Sequence, residues 1–390
     1  VCKVDPNHNT MNYLLTVIII TSWLFAIQTV QAQETKSNMF NLLIGTYTTS
    51  SESNGIYVYS FDSETGAFSY KSEIGGIVNP SFLAVTQDRK HVYAVSEVGQ
   101  GQGSVSAYSF DAQTGKLIYL NSSSSGGDGP CYVSVDEAKR LVFSGNYGGG
   151  SLAAIPVNKD GSLSQDIQAI LHQGSSIHKN QNRPHVHATV LSPDDQYLFV
   201  PDLGTDKINI YEVDATASKP LSPAEPAFVK VEDGSGPRHF TFHPNGKYAY
   251  LIQELMGIIT AFSYDNGNLE VIQSVEVIPP GYTGNPGAAD IHISPDGKFL
   301  YGSLRGDINQ LVVYAVGSGG GLTYVGRHST LGEHPRNFAI DPSGNYLLVG
   351  NSRSNEIVIF KRDQKTGLLT PTNKRISLGA PVCLKFVAID

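Results

Sequence analysis

The sequence predicts an all-β chain: a seven-bladed β-propeller of four-stranded antiparallel blades, its ring closed by pairing the C-terminal strand with the N-terminal blade. Three observations carry this. Pro80, Pro130, Pro184, Pro237, Pro286, Pro335 and Pro381 recur at intervals of 46–54 residues, a period at which repeats of four strands per unit are built. Each proline opens the same succession of short β-branched and aromatic runs separated by turn residues, with no helical stripe competing. After Pro381 only one strand remains before Asp390, and the start of the chain supplies the strands that this last unit lacks.

Taken in order, the first strand of each unit follows its proline, as in Phe82–Val85, Tyr132–Val135, Val186–Val190, Phe240–Phe242, Ala289–Ile293, Phe338–Ile340 and Cys383–Phe386. A turn such as His243-Pro-Asn-Gly246 or Ser294-Pro-Asp-Gly297 leads to a second strand, for which Tyr248–Ile252 and Tyr346–Val349 are clear examples. Asn-Gly and Asp-Gly are strong hairpin signals, so the two strands are antiparallel neighbours. Third strands alternate well, as in Ser104–Phe110 and Glu356–Phe360, and turns of the type Glu64-Thr-Gly66, Gln113-Thr-Gly115 and Lys365-Thr-Gly367 lead to a fourth. Asn41–Ile44 and Ile56–Phe61 supply the strands missing from the last unit, giving six complete blades and one built from both ends. A single blade cannot bury both of its faces, so the blades stack radially.

The composition is that of an ordered protein, 40% hydrophobic and 16% charged. Its 40 Gly and 20 Pro mark turns, because β-branched and aromatic runs fill the spaces between them. A formal charge of −8 excludes the broad basic footprint that nucleic acid requires. Residues 1–37 read as an upstream extension and a secretory signal peptide. An apolar run from Leu14 to Ile27 precedes Val30-Gln-Ala32, a small-residue cleavage pattern that places the cut after Ala32. The expectation is an exported protein, periplasmic or extracellular, with the propeller domain over residues 38–390 and no membrane span once the leader is removed. Cys131 and Cys383 open strands in different units, which argues against a disulfide and for ordinary buried thiols.

In an antiparallel pair, the start of the first strand and the end of the second share one edge. The residues there therefore crowd one mouth of the central channel. They include His185, His187, Asn146, Asp202, Arg238, Glu254, Arg305 and Arg336, a set that combines guanidinium groups with imidazoles and carboxylates. Glu97 and Asp202 are expected to pair with neighbouring arginines. His185 and His187, two residues apart, share a strand face and would also suit two ligands of a metal, although no further ligand spacing accompanies them. No Gly-x-Ser-x-Gly elbow is present, which disfavours a serine hydrolase. Asn146-Tyr-Gly-Gly-Gly-Ser151 joins two strands, not a strand to a helix, and reads as a tight blade loop near the mouth.

Several motifs together resemble the lactonase family of seven-bladed β-propellers, which includes propeller-type 6-phosphogluconolactonases and carboxy-muconate cycloisomerases. They are Leu43-Ile-Gly-Thr-Tyr47, Asn146-Tyr-Gly-Gly-Gly-Ser151, Pro184-His-Val-His187, Pro201-Asp-Leu-Gly-Thr-Asp206, Gly236-Pro-Arg-His239, Gln253-Glu-Leu255, Asp290-Ile-His-Ile-Ser-Pro-Asp-Gly297 and Leu304-Arg-Gly306. The resemblance carries over His187, Glu254, Arg238 and Arg305, which are expected to be catalytic. His185, Asn146, Arg336 and Asp202, placed at the same mouth, are expected to bind substrate, and no cofactor or metal is expected. Leu304 stands where many members have Asn, and Asp307-Ile-Asn309 replaces the usual Asp-Ser-Ile.

Each role has a physical reason. Lactone hydrolysis needs a base for water, positive charge for the oxyanion and a proton for the leaving hydroxyl. The imidazole of His187 suits the proton transfers, Glu254 would orient it or take the proton itself, and the arginines would grip an anion in bidentate fashion. The expected function is hydrolysis of a sugar lactone, first of all 6-phosphogluconolactone, a small-molecule substrate. A cycloisomerase forming a muconolactone-type product and an exported non-catalytic binding propeller are the alternatives.

Overall fold

The computed structural model describes residues 1–3 and 38–389. The expected leader, with its apolar run and its cleavage point after Ala32, lies outside the described residues. The strands, numbered β1 to β28 in chain order, form seven four-stranded antiparallel sheets among the described residues. Blade 1 has the order β28 (Pro381–Ala388), β1 (Met39–Thr46), β2 (Gly55–Asp62) and β3 (Phe68–Gly75), and blades 2 to 7 follow in sequence from β4 (Leu83–Val85) to β27 (Leu369–Ser377).

The ring closes as the ends of the sequence predict. β28 (Pro381–Ala388) pairs with β1 (Met39–Thr46) from Phe40 opposite Ala388 to Gly45 opposite Cys383, and β1 continues into β2 (Gly55–Asp62). The core lies between blades, where each sheet presses one apolar face on its neighbour. Leu141, Phe143 and Leu152 of blade 3 pack with Leu198, Val200 and Tyr211 of blade 4. Phe299 and Tyr301 of blade 6 meet Phe338 and Leu347 of blade 7, and Leu42 and Ile44 of blade 1 cover Leu348 and Ile359 of blade 7.

The hairpin turns form for the reason their residues suggest. In Asp62-Ser-Glu-Thr-Gly66, Asp62 accepts the Glu64 N–H at 2.8 Å and the Thr65 hydroxyl at 2.7 Å, and Gly66 takes a φ of 66°. Asp111 and Asp363 hold the corresponding turns before Gly115 and Gly367.

A feature absent from the sequence-based picture is a bulge at the head of the inner strands. In blade 5, Pro237 of β16 (Pro237–Phe242) opposes Gln253 of β17 (Tyr248–Gln253), but His239 opposes Ile252, so Arg238 is an extra residue. Cys131 and Arg336 are extra in the same way in blades 3 and 7. Such a bulge kinks the strand and re-aims a side chain. In blade 4 the expected strand Val186–Val190 is reduced to Val190–Leu191 plus an isolated bridge from Val186 to Asp202. Val190 lies four positions from Val186, but its partner Phe199 only three from Asp202, so one residue is again in excess and the ladder is interrupted. Val186, not Pro184, therefore occupies the slot that proline holds elsewhere, and His187 is the counterpart of Arg238.

Removing Pro381–Asp390 strips blade 1 of its inner strand and exposes a β1 edge. Val382, Leu384 and Val387 are all buried, and losing their burial alone costs about 5–9 kcal/mol, on the order of a whole domain's stability. Thermal denaturation of the truncated chain should show the loss of the cooperative transition. A truncated chain that melts like the full one contradicts this closure.

Candidate active site

Two sets of equivalent positions build one mouth of the channel. The bulge position supplies Cys131, His187, Arg238 and Arg336. The residue that follows the end of each second strand supplies Glu97, Tyr147, Glu254 and Arg305. Gly236, just before the arginine strand of blade 5, has a φ of 71°, and a Cβ there would lie 2.6 Å from the side chain of Leu255. A glycine is thus required where Arg238 and Glu254 are brought edge to edge.

The centre of the mouth is an ion triplet. One carboxylate oxygen of Glu254, Oε2, accepts Nε of Arg238 at 2.9 Å and Nη2 of Arg305 at 2.8 Å. Backbone carbonyls hold the same guanidiniums from behind: Arg238 Nη1 donates to Ala289 O, and Arg305 Nε donates to Gly287 O at 2.9 Å. Burial pushes the Glu254 carboxyl up, but the charges of Arg305 and Arg238 outweigh it and hold the pKa below the usual glutamate range. Burial, with Arg305 and Arg336 nearby, brings Arg238 down to about 10, and it remains a cation at neutral pH. Arg336 stands apart from the triplet. Its Nη2 is 3.9 Å from Glu97, whose Oε2 also accepts the Tyr47 hydroxyl at 2.9 Å, and its guanidinium lies over the Tyr47 ring. Arg238, Arg305 and Arg336 thus gather three guanidiniums at this mouth, although the chain as a whole carries −8.

His187 lies in the wall of the mouth. Nδ1 shares a hydrogen bond with Sγ of Cys131 at 3.6 Å, and among the described residues Nε2 has no partner. Burial holds its pKa well below the ordinary histidine value, and the charge of Arg238 and the neighbouring His239 and Arg336 act in the same direction. The ring is therefore neutral at pH 7, with one nitrogen free to accept a proton. Cys131 is free and buried, as expected. Its thiol is pushed up to about 12 by burial, with Glu97 adding to the effect, so it is protonated.

Below the arginines the channel is crossed by a buried hydrogen-bonded group. Asp290 accepts Nδ1 of His239 at 2.7 Å, Nε2 of His292 at 2.9 Å and the backbone N–H groups of Ile291 and Phe338. Asn337 Nδ2 adds a further donor. Burial pushes its carboxyl up, but His292 and these hydrogen bonds keep it ionised. His292 reaches Asp290 from two residues along the same strand.

The other expected binding residues sit differently. Asn146 ends β9 (Leu141–Asn146) with its amide turned into the blade, donating to Ser125 O at 2.8 Å and Ser151 Oγ at 3.0 Å. Asp202 binds the backbone N–H of His185 at 2.8 Å and of Gly204 at 2.9 Å, and its other oxygen takes Nδ1 of His172 at 2.7 Å. Its partner is a histidine and not the arginine expected. His185 and His187 both contact the Tyr147 ring, but His185 stacks on it with centroids 4.5 Å apart and ties Nδ1 to the Tyr147 carbonyl at 2.8 Å, whereas Nδ1 of His187 meets Cys131. Among the described residues no three His, Cys, Asp or Glu side chains are grouped to hold a metal ion. Tyr47 and Tyr147 are mouth residues that the sequence did not single out as functional, although the loop that carries Tyr147 was expected near the mouth. Their signal was their position one residue past the strand end, shared with Glu254.

Comparison with known proteins agrees with this architecture. The family model described as "Lactonase, 7-bladed beta-propeller" matches residues 41–386. The chain is 39% identical to a protein of Formosa agariphila named 6-phosphogluconolactonase, over 84% of this chain and 94% of that one. It is 36% identical to a Bacillus subtilis protein of the same name, over 88% and 97% of the two chains. The solved structure of a Pseudomonas aeruginosa periplasmic gluconolactonase superposes with a TM-score of 0.86 at 40% identity, covering 90% of this chain and 100% of the other. With seven blades, a matched family model over nearly the whole propeller and such relatives, the chain belongs to the lactonase family of seven-bladed β-propellers.

Proposed function

We propose that this lactone hydrolase opens a gluconolactone-type sugar lactone, in the first reading 6-phosphogluconolactone, by activating water at His187. The observation that carries this is a neutral imidazole with a free Nε2 in the same mouth as Arg238, Arg305 and Arg336. Water placed between Nε2 and the lactone carbonyl loses a proton to His187 as its oxygen bonds to the carbonyl carbon. The oxyanion that forms is neutralised by the arginine pair. The ring C–O bond then breaks, and the proton held by His187 is returned to the departing oxygen. Glu254 is bonded to both arginines and held ionised, so its role is to fix the two guanidiniums rather than to carry the proton.

Arg336 is the guanidinium with the longest ion pair, and it is assigned the distal anion. A phosphate there would also cancel part of the positive field that depresses His187, making the imidazole a stronger base once substrate is bound. A second reading has its own support. The apolar run Leu14–Ile27 marks an exported chain, and a relative at 40% identity is named a periplasmic gluconolactonase. In that reading the lactone is unphosphorylated and Arg336 holds a sugar hydroxyl.

Hydrolysis above the spontaneous rate, measured with the chain from Gln33 on 6-phosphoglucono-δ-lactone and glucono-δ-lactone, separates these readings. The first expects a strong preference for the phosphorylated lactone, and activity confined to the other selects the second. His187→Ala should lower turnover by roughly 10²–10⁴, and retention of most activity would remove this residue from the mechanism. Arg336→Ala should raise KM for the phosphorylated lactone by roughly ten- to a hundredfold, the range for a hydrogen bond to a charged group, while leaving the other lactone nearly unaffected.

The pH profile tests the base. Activity requires neutral His187 and falls as pH drops through its pKa, which lies well below 6.5 in the free protein. The acid limb of kcat/KM should therefore lie well below pH 6.5, and that of kcat, which reports the complex, should lie higher with the phosphorylated lactone. Arg238→Gln removes a positive neighbour and should move the kcat/KM limb upward. A limb that stays in place would show that another group is titrating.

A further inference from the structure

In the step proposed above His187 returns a proton to the departing ring oxygen, but no group has been assigned to stabilise the charge that develops there before the proton arrives. A lactone's ring oxygen leaves as an alkoxide, a poor leaving group unless a donor meets its developing charge. Arg238 and Arg305 are assigned to the carbonyl oxygen and Arg336 to the distal anion, and Glu254 is ionised and has no proton to offer.

We infer that Tyr147 is a catalytic residue that donates a hydrogen bond from its phenol to the departing ring oxygen, and that His185 positions it. The inference rests on the lactonase reading. Tyr147 follows the end of β9 in the slot that Glu254 and Arg305 occupy in blades 5 and 6. Its ring meets the ring of His187 edge to face, with centroids 5.4 Å apart at 71°, and its hydroxyl feels the charges of Glu254, Arg238 and Arg305. Three fully buried tyrosines of the blades donate their hydroxyls to backbone carbonyls: Tyr93 to Gly161, Tyr250 to Gly320 and Tyr301 to Gly367. The Tyr147 hydroxyl, half-buried at the mouth, has no partner among the described residues. Burial and the charge of Glu254 push its pKa up, which keeps the proton in place for donation.

His185 holds this tyrosine at two points. Its ring lies flat on the phenol at an interplanar angle of 24°, and Nδ1–H donates to the Tyr147 carbonyl at 2.8 Å. The backbone N–H of His185 is in turn fixed by Asp202 Oδ1 at 2.8 Å. The three form a support from blade 4 to the mouth loop of blade 3. In the proposed step the ring C–O bond breaks with its electron pair passing to oxygen, Tyr147 stabilises that charge, and the proton on the product hydroxyl is the one His187 took from water.

Tyr147→Phe keeps the ring and removes only the hydroxyl. It should leave the melting temperature unchanged and KM within about threefold, while kcat falls by roughly a hundredfold, as when one preorganised donor is lost. His185→Phe retains stacking but not the Nδ1 bond. It should lower kcat about tenfold in the presence of Tyr147 and have no further effect in the Tyr147→Phe background, the non-additivity that marks two residues acting as a unit. An active wild-type chain whose Tyr147→Phe variant keeps kcat within about threefold would overturn this inference alone, as would an equal His185→Phe loss in both backgrounds. A wild-type chain inactive on both gluconolactones would overturn the lactonase reading and this inference with it.

Discussion

The mouth of this propeller depends on one extra residue at the head of its inner strands. A regular ladder would keep successive side chains alternating between the two faces of the sheet. The bulge breaks that alternation where proline, or Val186 in blade 4, opposes the end of the second strand. It turns Arg238, Arg336, Cys131 and His187 toward a common point. The chemistry of the mouth is therefore a property of backbone count, repeated around the ring, before it is a property of the side chains.

Charge at this point is arranged around two ionised carboxylates with different surroundings. Asp290 is buried and receives neutral and histidine donors from blades 5, 6 and 7, so it ties inner strands together across the channel. Glu254 lies nearer solvent and receives only guanidinium groups. Burial alone would favour the protonated form of each. Positive charge and directed N–H groups reverse that preference, whereas at His187 burial comes first and the arginine charges act in the same direction. The arginines thus oppose burial at the carboxylate and reinforce it at the imidazole.

Much of this was legible in the sequence, and the limits have physical causes. The proline period and the turn residues are local signals, so blade number, strand order and closure could be read directly. His187, Arg238, Glu254, Arg305 and Arg336 were placed at one edge by the same argument, and the structure brings them together. Asn146 and Asp202 were placed with them because they end strands, but a shift of one residue exchanges the two faces of a strand. Their side chains turn into the blades, and the following residue, Tyr147 in blade 3, reaches the mouth. Where a ladder ends and where a bulge inserts depend on pairing between strands, which residue types alone do not record. The same limit explains Cys131, read as an ordinary buried thiol, which is buried but lies against His187.

The pairing of β28 with β1 has a consequence for how the molecule is made. The two strands come from opposite ends of the sequence, so blade 1 waits with an open edge while the six blades between them are synthesised. Non-local closure of this kind is slow compared with the formation of each local hairpin. Until β28 pairs with β1 the ring is unlocked, so the last strand to be made is also the one that seals the molecule.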